Sequence, residues 1–338
     1  MSTVLQKALS DLQIERLSNS SPNIPLSPTL LLPCGYTFVE MEMASLSKTQ
    51  LSSFNYYFAI DGCDELVSKD VLWQILVNAY GKQYVSNAIM PMTYLLHLDT
   101  DKETFLSENN GRRAFILKKN IQRKEGLFLS NDEKLLSKKI QEREFVVAQL
   151  YLRDTFRVEN HKLNVRLYVF AVRPAKASKT SFYIHREGKC IYTSLPHIQG
   201  DLSSDRNITS LNMNVEIYKR LPQSVKELLI YIRKMRSVQE AETIWSKTVD
   251  ILKSATKPFC KRMGLSKQFY SIHRFQLFGV DIIYRDKDLK PFLLEFNKGP
   301  DMSAANEKDF EMKTGVMRDC LNFMNSFNIR ETNFIPLS

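Results

Sequence analysis

The residues best suited to chemistry lie in two stretches, Phe278-Gly279-Val280-Asp281-Ile282-Ile283-Tyr284 and Lys290-Pro291-Phe292-Leu293-Leu294-Glu295-Phe296-Asn297. Side chains two apart on a strand point the same way, so Glu295 and Asn297 share a face. Arg285-Asp286-Lys287-Asp288 between the stretches reads as a turn, and antiparallel pairing through it can bring Asp281 level with them. Two carboxylates and an amide oxygen are hard donors suited to Mg²⁺ bound together with phosphates. An edge hairpin with its polar face in water is the competing reading. Leu293, Leu294 and Phe296 argue for the metal, because a carboxylate among apolar neighbours needs a charged or hydrogen-bonded partner.

Two basic groupings accompany the hairpin. Residues 112–129 read strand, loop, strand, with Lys118 closing the first strand and Lys124 in the loop. Such ammonium groups can hold a polyphosphate between them. A solvated charged hairpin has the same pattern, and only Gly126 remains of the glycines that a phosphate cradle uses. Arg166 and Arg186 fall within or at the end of core strands, where an unpaired guanidinium is costly. Either an anionic ligand meets these planar forks, or Glu187 or Asp281 pairs with them.

The elements that must position these groups follow from periodicity. Helical spacing marks 4–17, with Thr3 and Gln6 as a capping box, and 70–80, ended by Gly81. Strands are expected at 114–118, 127–130, 145–152, 164–173, 181–186, 189–193, 275–284 and 290–297. Residues 221–267 are helical in character, interrupted by Pro258, and a last helix covers 304–323. Segregated strands and helices indicate an α+β fold. Serine and proline between residues 18 and 28 mark a linker, so residues 1–28 are expected to be an extension with one short helix.

With 338 residues, 43% hydrophobic and 25% charged, the composition is globular and excludes global disorder. A net charge of +10 favours an acidic partner but does not choose among polyanions. No signal-peptide core or membrane-length apolar run is present, which leads to the expectation of a cytoplasmic protein, open to association with the cytoskeleton and with no membrane partner. Five scattered cysteines without a C-x-x-C pair read as reduced thiols, and five ungrouped histidines argue against zinc. No nucleic-acid-binding pattern occurs.

Taken in order, these segments resemble the tubulin tyrosine ligase-like family, a branch of the ATP-grasp ligases. Residues 275–297 are similar to its most diagnostic hairpin, Met90-Pro91-Met92-Thr93-Tyr94 to its P-x-T-[FY] segment, and Phe115-Ile116-Leu117-Lys118 to its W-I-V-K strand. Residues 145–152 resemble the strand reaching the adenine, 162–166 the K-F-D-I-R element, and Arg186-Glu187-Gly188 the Y-R-E-G turn. The resemblance implies an ATP-grasp fold with antiparallel sheets sandwiching a nucleotide site, divided into an N-terminal lobe (29–96), a central lobe (97–144) and a C-terminal lobe with the metal site (145–338). It implies that Lys118 and Lys124 hold ATP phosphates, and that Gln149, Leu150, Tyr151 and Leu152 line the adenine pocket. Lys162 and Thr209 would lie near the nucleotide. Asp281, Glu295 and Asn297 would bind Mg²⁺, and Arg166 and Arg186 would face the transferred phosphoryl group.

The implied reaction activates a carboxylate as an acyl phosphate, which the amine of a free amino acid then attacks. Four positions depart from the family pattern: Asn164 replaces an Asp, Asn207-Ile208-Thr209-Ser210 replaces H-L-T-N, the glycine-poor loop is one residue shorter, and the hairpin turn is one residue longer. The leading expectation is a ligase adding an amino acid, glutamate foremost, to an acidic tail such as tubulin's. A catalytically weak relative acting as a nucleotide- or microtubule-binding module is the alternative. Residues 219–267 hold 12 Lys and Arg against 4 Asp and Glu, an excess expected to dock the acidic polypeptide.

Overall fold

The computed structural model describes residues 3–14, 30–31, 56–121, 126–209 and 215–337. Lys124 lies outside the described residues, as does the whole 18–28 linker. The fold is mixed α and β, built on two sheets. The larger has eight strands, with His161–Arg173 at its centre, flanked by His273–Tyr284 and Ser181–Tyr192 in antiparallel pairing. Pro291–Lys298 continues antiparallel from His273–Tyr284, while the two-residue strand Tyr56–Tyr57 pairs with the start of His273–Tyr284 in parallel. The smaller sheet orders Thr93–Leu95, Val147–Leu150, Phe115–Lys118 and Leu127–Ser130, all antiparallel.

The central strands are buried on both faces, which explains their nearly continuous apolar sequence. From His161–Arg173, Leu163, Val165, Leu167, Val169 and Ala171 enter the main core, while Tyr168, Phe170 and Val172 enter a second one. From His273–Tyr284, Phe278, Val280 and Ile282 take the first face, and Phe275 and Leu277 the second. Along the second face, Arg166 continues the Tyr168 side and Asp281 the Leu277 side. The candidate site is thus the polar end of a face whose other end is core.

Several boundaries differ from the sequence expectation. Ser181–Tyr192 is one strand where two were expected, because Gly188 is absorbed at an irregular register rather than ending the strand. The first helix is shorter, Thr3–Asp11, and it packs on the last helix, Glu307–Ser326, burying Val4, Ala8 and Leu9 in the second core. The basic segment forms two helices, Val225–Met235 and Val238–Thr256, each started by a serine whose side chain accepts a backbone N–H. Among the described residues no helix is long and apolar enough to cross a membrane, and Cys63, Cys190, Cys260 and Cys320 are buried thiols.

Candidate active site

Register brings the hairpin carboxylates together. Asp281 stands directly opposite Glu295 on one side and Arg166 on the other, and Gly279 stands opposite Asn297. The ladder shifts between Asp281 and Ile282, so Leu294 is the extra residue of a bulge. A bulge of this kind re-aims neighbouring side chains. Gly279 is required by close approach, because a Cβ there would lie 3.0 Å from Arg166 Cδ and 3.0 Å from Pro300 Cβ. Asn297 Nδ2 donates to Glu295 Oε1 at 3.4 Å.

Of the two partners that the sequence leaves open for Arg166, the structure selects Asp281. Nε and Nη2 donate to the two carboxylate oxygens at 2.5 and 2.9 Å, a fork on a side chain only 8% exposed. Burial lowers the Arg166 pKa, but the Asp281 charge and hydrogen bonds outweigh it and raise the group above its ordinary value. Burial likewise pushes Glu295 up, yet Lys69, Lys118 and Arg166 together hold its carboxyl below the usual range. Lys118 is buried at the end of its strand, and desolvation, with Lys69 adding to it, brings its pKa down to about 8 against the pull of Glu295 and Asp281.

A second group lies along the same strand face. Lys162 Nζ donates to the Tyr151 hydroxyl and, at 3.0 Å, to Asn207 Oδ1, and it sits 4.4 Å from the Tyr151 ring centroid. Burial first, then Arg157 and Arg153, lowers its pKa to about 7. Between Lys162 and Arg166, Asn164 Oδ1 is buried without a hydrogen-bond partner among the described residues. Beside this strand a cavity of about 290 Å³ is lined by Leu150, Tyr151, Leu152, Arg112, Arg113 and Arg285, among others.

The structure therefore gathers Lys118, Arg166, Asp281, Glu295 and Asn297, with Lys162 and Tyr151 further along. Gln149 is not among the cavity's lining residues: strand alternation turns its side chain to Thr93 Oγ1, 2.9 Å away. Arg186 is exposed on the neighbouring strand, with no ion pair among the described residues, and its backbone N–H reaches Asn333 O. Thr209 is half-buried just past the short helix Ser204–Asn207, and Asn207 instead makes the contact with Lys162.

Sequence reasoning missed three side chains. Lys69 lies 3.4 Å from Glu295 Oε2, Asn207 meets Lys162, and Lys189, opposite Arg166 in register, donates to Asp309 Oδ2 at 2.6 Å. Lys69 carried a signal, since an ammonium in the first turn of a helix opposes the helix dipole.

No group of three or more His, Cys, Asp or Glu able to hold a metal occurs among the described residues. Two carboxylates and an amide are nonetheless enough for Mg²⁺ when phosphates supply the remaining oxygens. Three cations, Lys69, Lys118 and Arg166, face those two carboxylates, and two residues before Arg166 on the same strand the Asn164 oxygen has no hydrogen-bond partner among the described residues. The surplus positive charge and the unfilled acceptor both fit a metal–polyphosphate group.

A model of the tubulin-tyrosine ligase family matches residues 47–333. Similar curated proteins include a tubulin polyglutamylase of Caenorhabditis briggsae, 26% identical over 285 residues, covering 77% of this chain and 44% of that protein. A tubulin polyglutamylase of Mus musculus is 22% identical over 78% of this chain and 34% of its own length. A tubulin monoglutamylase of Homo sapiens is 24% identical, with 77% and 22% covered. The chain spans less than half the length of these relatives.

Proposed function

Since the chain belongs to the tubulin-tyrosine ligase family, we propose that it is an ATP- and Mg²⁺-dependent ligase joining an amino acid, glutamate foremost, to a carboxylate of an acidic protein tail such as tubulin's. The observation that carries this reading is the register-matched convergence of Asp281, Glu295 and Asn297 with Arg166 and Lys118 on one sheet face. The relatives whose names state glutamate addition to tubulin favour glutamate and tubulin over the other candidates.

Magnesium–ATP, when bound, supplies the phosphoryl group that converts the acceptor carboxylate to an acyl phosphate open to an amine. The chain's own residues position and neutralise. Asp281, Glu295 and Asn297 would hold the metal. Lys118, desolvated to a pKa of about 8, is still mostly charged at neutral pH and would hold phosphate oxygens. Lys162 orients Tyr151 and Asn207 beside the 150–152 cavity, where the base would lie. Arg166 is fixed by Asp281 at the metal end, and Arg186, exposed and free of an ion pair among the described residues, is available to the acceptor carboxylate.

The test is incorporation of radiolabelled glutamate, tyrosine or glycine into tubulin by the purified chain with ATP and Mg²⁺. Glutamate labelling that requires ATP is expected. No labelling with any of the three, on tubulin or on total cell protein, would remove the enzyme reading and leave a binding module.

A further inference from the structure

Seven positions beyond Arg166 on its strand, roughly 23 Å away at about 3.3 Å per residue, stands Arg173, and seven positions before Asp281 stands Arg274. An odd separation turns both side chains to the face opposite the candidate active site. The two arginines are direct partners in the antiparallel register and are 4% and 1% exposed. Like charges directly opposite on neighbouring strands are destabilising, and a buried guanidinium without a counter-charge is costly. One carboxylate is at hand. Asp61 accepts from Arg274 Nη1 at 2.5 Å through Oδ1 and from the Ser266 N–H at 2.8 Å through Oδ2. Both its oxygens are thus committed, and Arg173 has no ion pair among the described residues. Arg173 Nε and Nη1 and Arg274 Nε are buried with no hydrogen-bond partner among those residues. Burial, opposed by Asp61 and reinforced by Arg173, holds the Arg274 pKa below its ordinary value.

The surroundings deepen the imbalance. Residues 173–180 and 257–274 meet at this end of the sheet, where the Thr180 N–H donates to Cys260 O at 2.8 Å and the Lys176 N–H to Tyr270 O at 2.7 Å. Together these segments contain eight Lys and Arg and no Asp or Glu. Lys176, Lys179, Lys257, Lys261 and Lys267 are exposed and have no ion pair among the described residues. Gly264, at φ +75°, presses the turn backbone against Arg173, since a Cβ there would lie 3.0 Å from Arg173 Cγ.

We propose that Arg173 and Arg274 form an anion site, separate from the candidate active site, that takes a phosphate group. A carboxylate's two coplanar oxygens match one guanidinium fork, whereas phosphate oxygens point in several directions and can accept from two guanidiniums at once. A phosphate charge of about two at neutral pH answers the surplus that Asp61 leaves, and the exposed lysines draw the anion in. Asp61 is 15% exposed, so the pair lies just beneath the surface. Arg173, unheld at Nε and Nη1, is free to turn outward to an arriving anion.

Thermal melting and amide hydrogen exchange of the full chain test the site, without nucleotide and at constant ionic strength, in phosphate, pyrophosphate or acetate, for wild type and Arg173→Met. At ten times its dissociation constant, phosphate is expected to slow exchange about tenfold in residues 173–180 and 259–266 and to raise the wild-type melting temperature by about 2 °C. Acetate is expected to do neither. Arg173→Met keeps the stem beside Gly264 and removes the repulsion, so it should melt no lower than wild type in acetate and gain nothing from phosphate. Pyrophosphate at least tenfold tighter than phosphate assigns the site to a molecule carrying several phosphates, and equal binding assigns it to a single one; either upholds the site. Protection by phosphate confined to residues 115–121 and 161–166 overturns it, as does acetate acting as well as phosphate, or Arg173→Met gaining the wild-type shift. If Arg173→Met does not fold, wild-type exchange still decides: protection of 173–180 and 259–266 upholds the site and its absence overturns it. Neither arginine belongs to the nucleotide-site reading, so the two readings fail separately.

Discussion

Replacing Asp281 with Asn keeps the side chain's shape and removes the charge that answers Arg166. The two forked contacts lie at 2.5 and 2.9 Å, with the side chains 23% and 8% exposed. Unit charges roughly 4 Å apart attract by about 4 kcal/mol at an effective dielectric of 20. Removing one partner of a buried pair costs about 3–5 kcal/mol. The low end applies, because Glu295 also acts on Arg166 and Asp281 also acts on Lys118, so neither survivor is left without an opposite charge. Asp281→Asn and Arg166→Met should therefore each lower stability by about 3 kcal/mol, and the double variant by about 4 rather than 6 kcal/mol. Urea unfolding of all four proteins, followed by the fluorescence of Trp73 and Trp245, reads the difference. A double variant whose loss equals the sum of the singles within about 0.5 kcal/mol would refute the pairing, since independent sites add to that tolerance.

Two further perturbations probe the same face. A Cβ at Gly188 would lie 2.8 Å from the Arg166 carbonyl and 2.7 Å from Leu167 Cδ2, so Gly188→Ala should cost about 1–3 kcal/mol, more than Gly279→Ala, whose closest neighbours are side-chain atoms at 3.0 Å. Thermal melting ranks the two, and the reverse order contradicts the close approach at Gly188. Lys162 titrates near 7 in the fold, below its ordinary 10.5, so between those values the unfolded chain binds the extra proton. Stability from this group accordingly rises with pH across that window, by at most about 1.4 kcal/mol per pH unit. Melting temperatures from pH 7 to 9.5 should lose that component in Lys162→Met, and an unchanged slope counts against the desolvated lysine.

The carboxylate hairpin was legible because its information is local. Period-two alternation fixes the face of Glu295 and Asn297, and the short turn fixes Asp281 opposite. Lys118 and the strand carrying Arg166 were legible for the same reason. Contacts made by distant residues left no periodic trace. Lys69 and Glu295 are 226 positions apart, and Lys162 meets Asn207 across a bend that the sequence marks only by a departure from the family pattern. A lysine at a helix start, against the dipole, is a local inconsistency, but the expected helix began one residue later, at Asp70, and so left Lys69 out. The expected basic docking face is partly answered within the fold, since Arg236 pairs with Asp286 and Arg262 with Glu65. Lys226, Arg233 and Lys234 are among the cations of this segment that have no ion pair among the described residues and so stay available for docking.

The proposed activity stands or falls with Glu295. Glu295→Gln keeps the hairpin and its contact with Asn297 but removes the charge that Lys69, Lys118 and Arg166 surround. The decisive measurement is the rate of ATP-dependent glutamate incorporation into tubulin by wild type and by Glu295→Gln, at matched folded fraction and saturating Mg²⁺. A loss of about a hundredfold or more is expected, the scale seen when one preorganised charge-stabilising group is removed. Incorporation by Glu295→Gln at the wild-type rate would contradict the site.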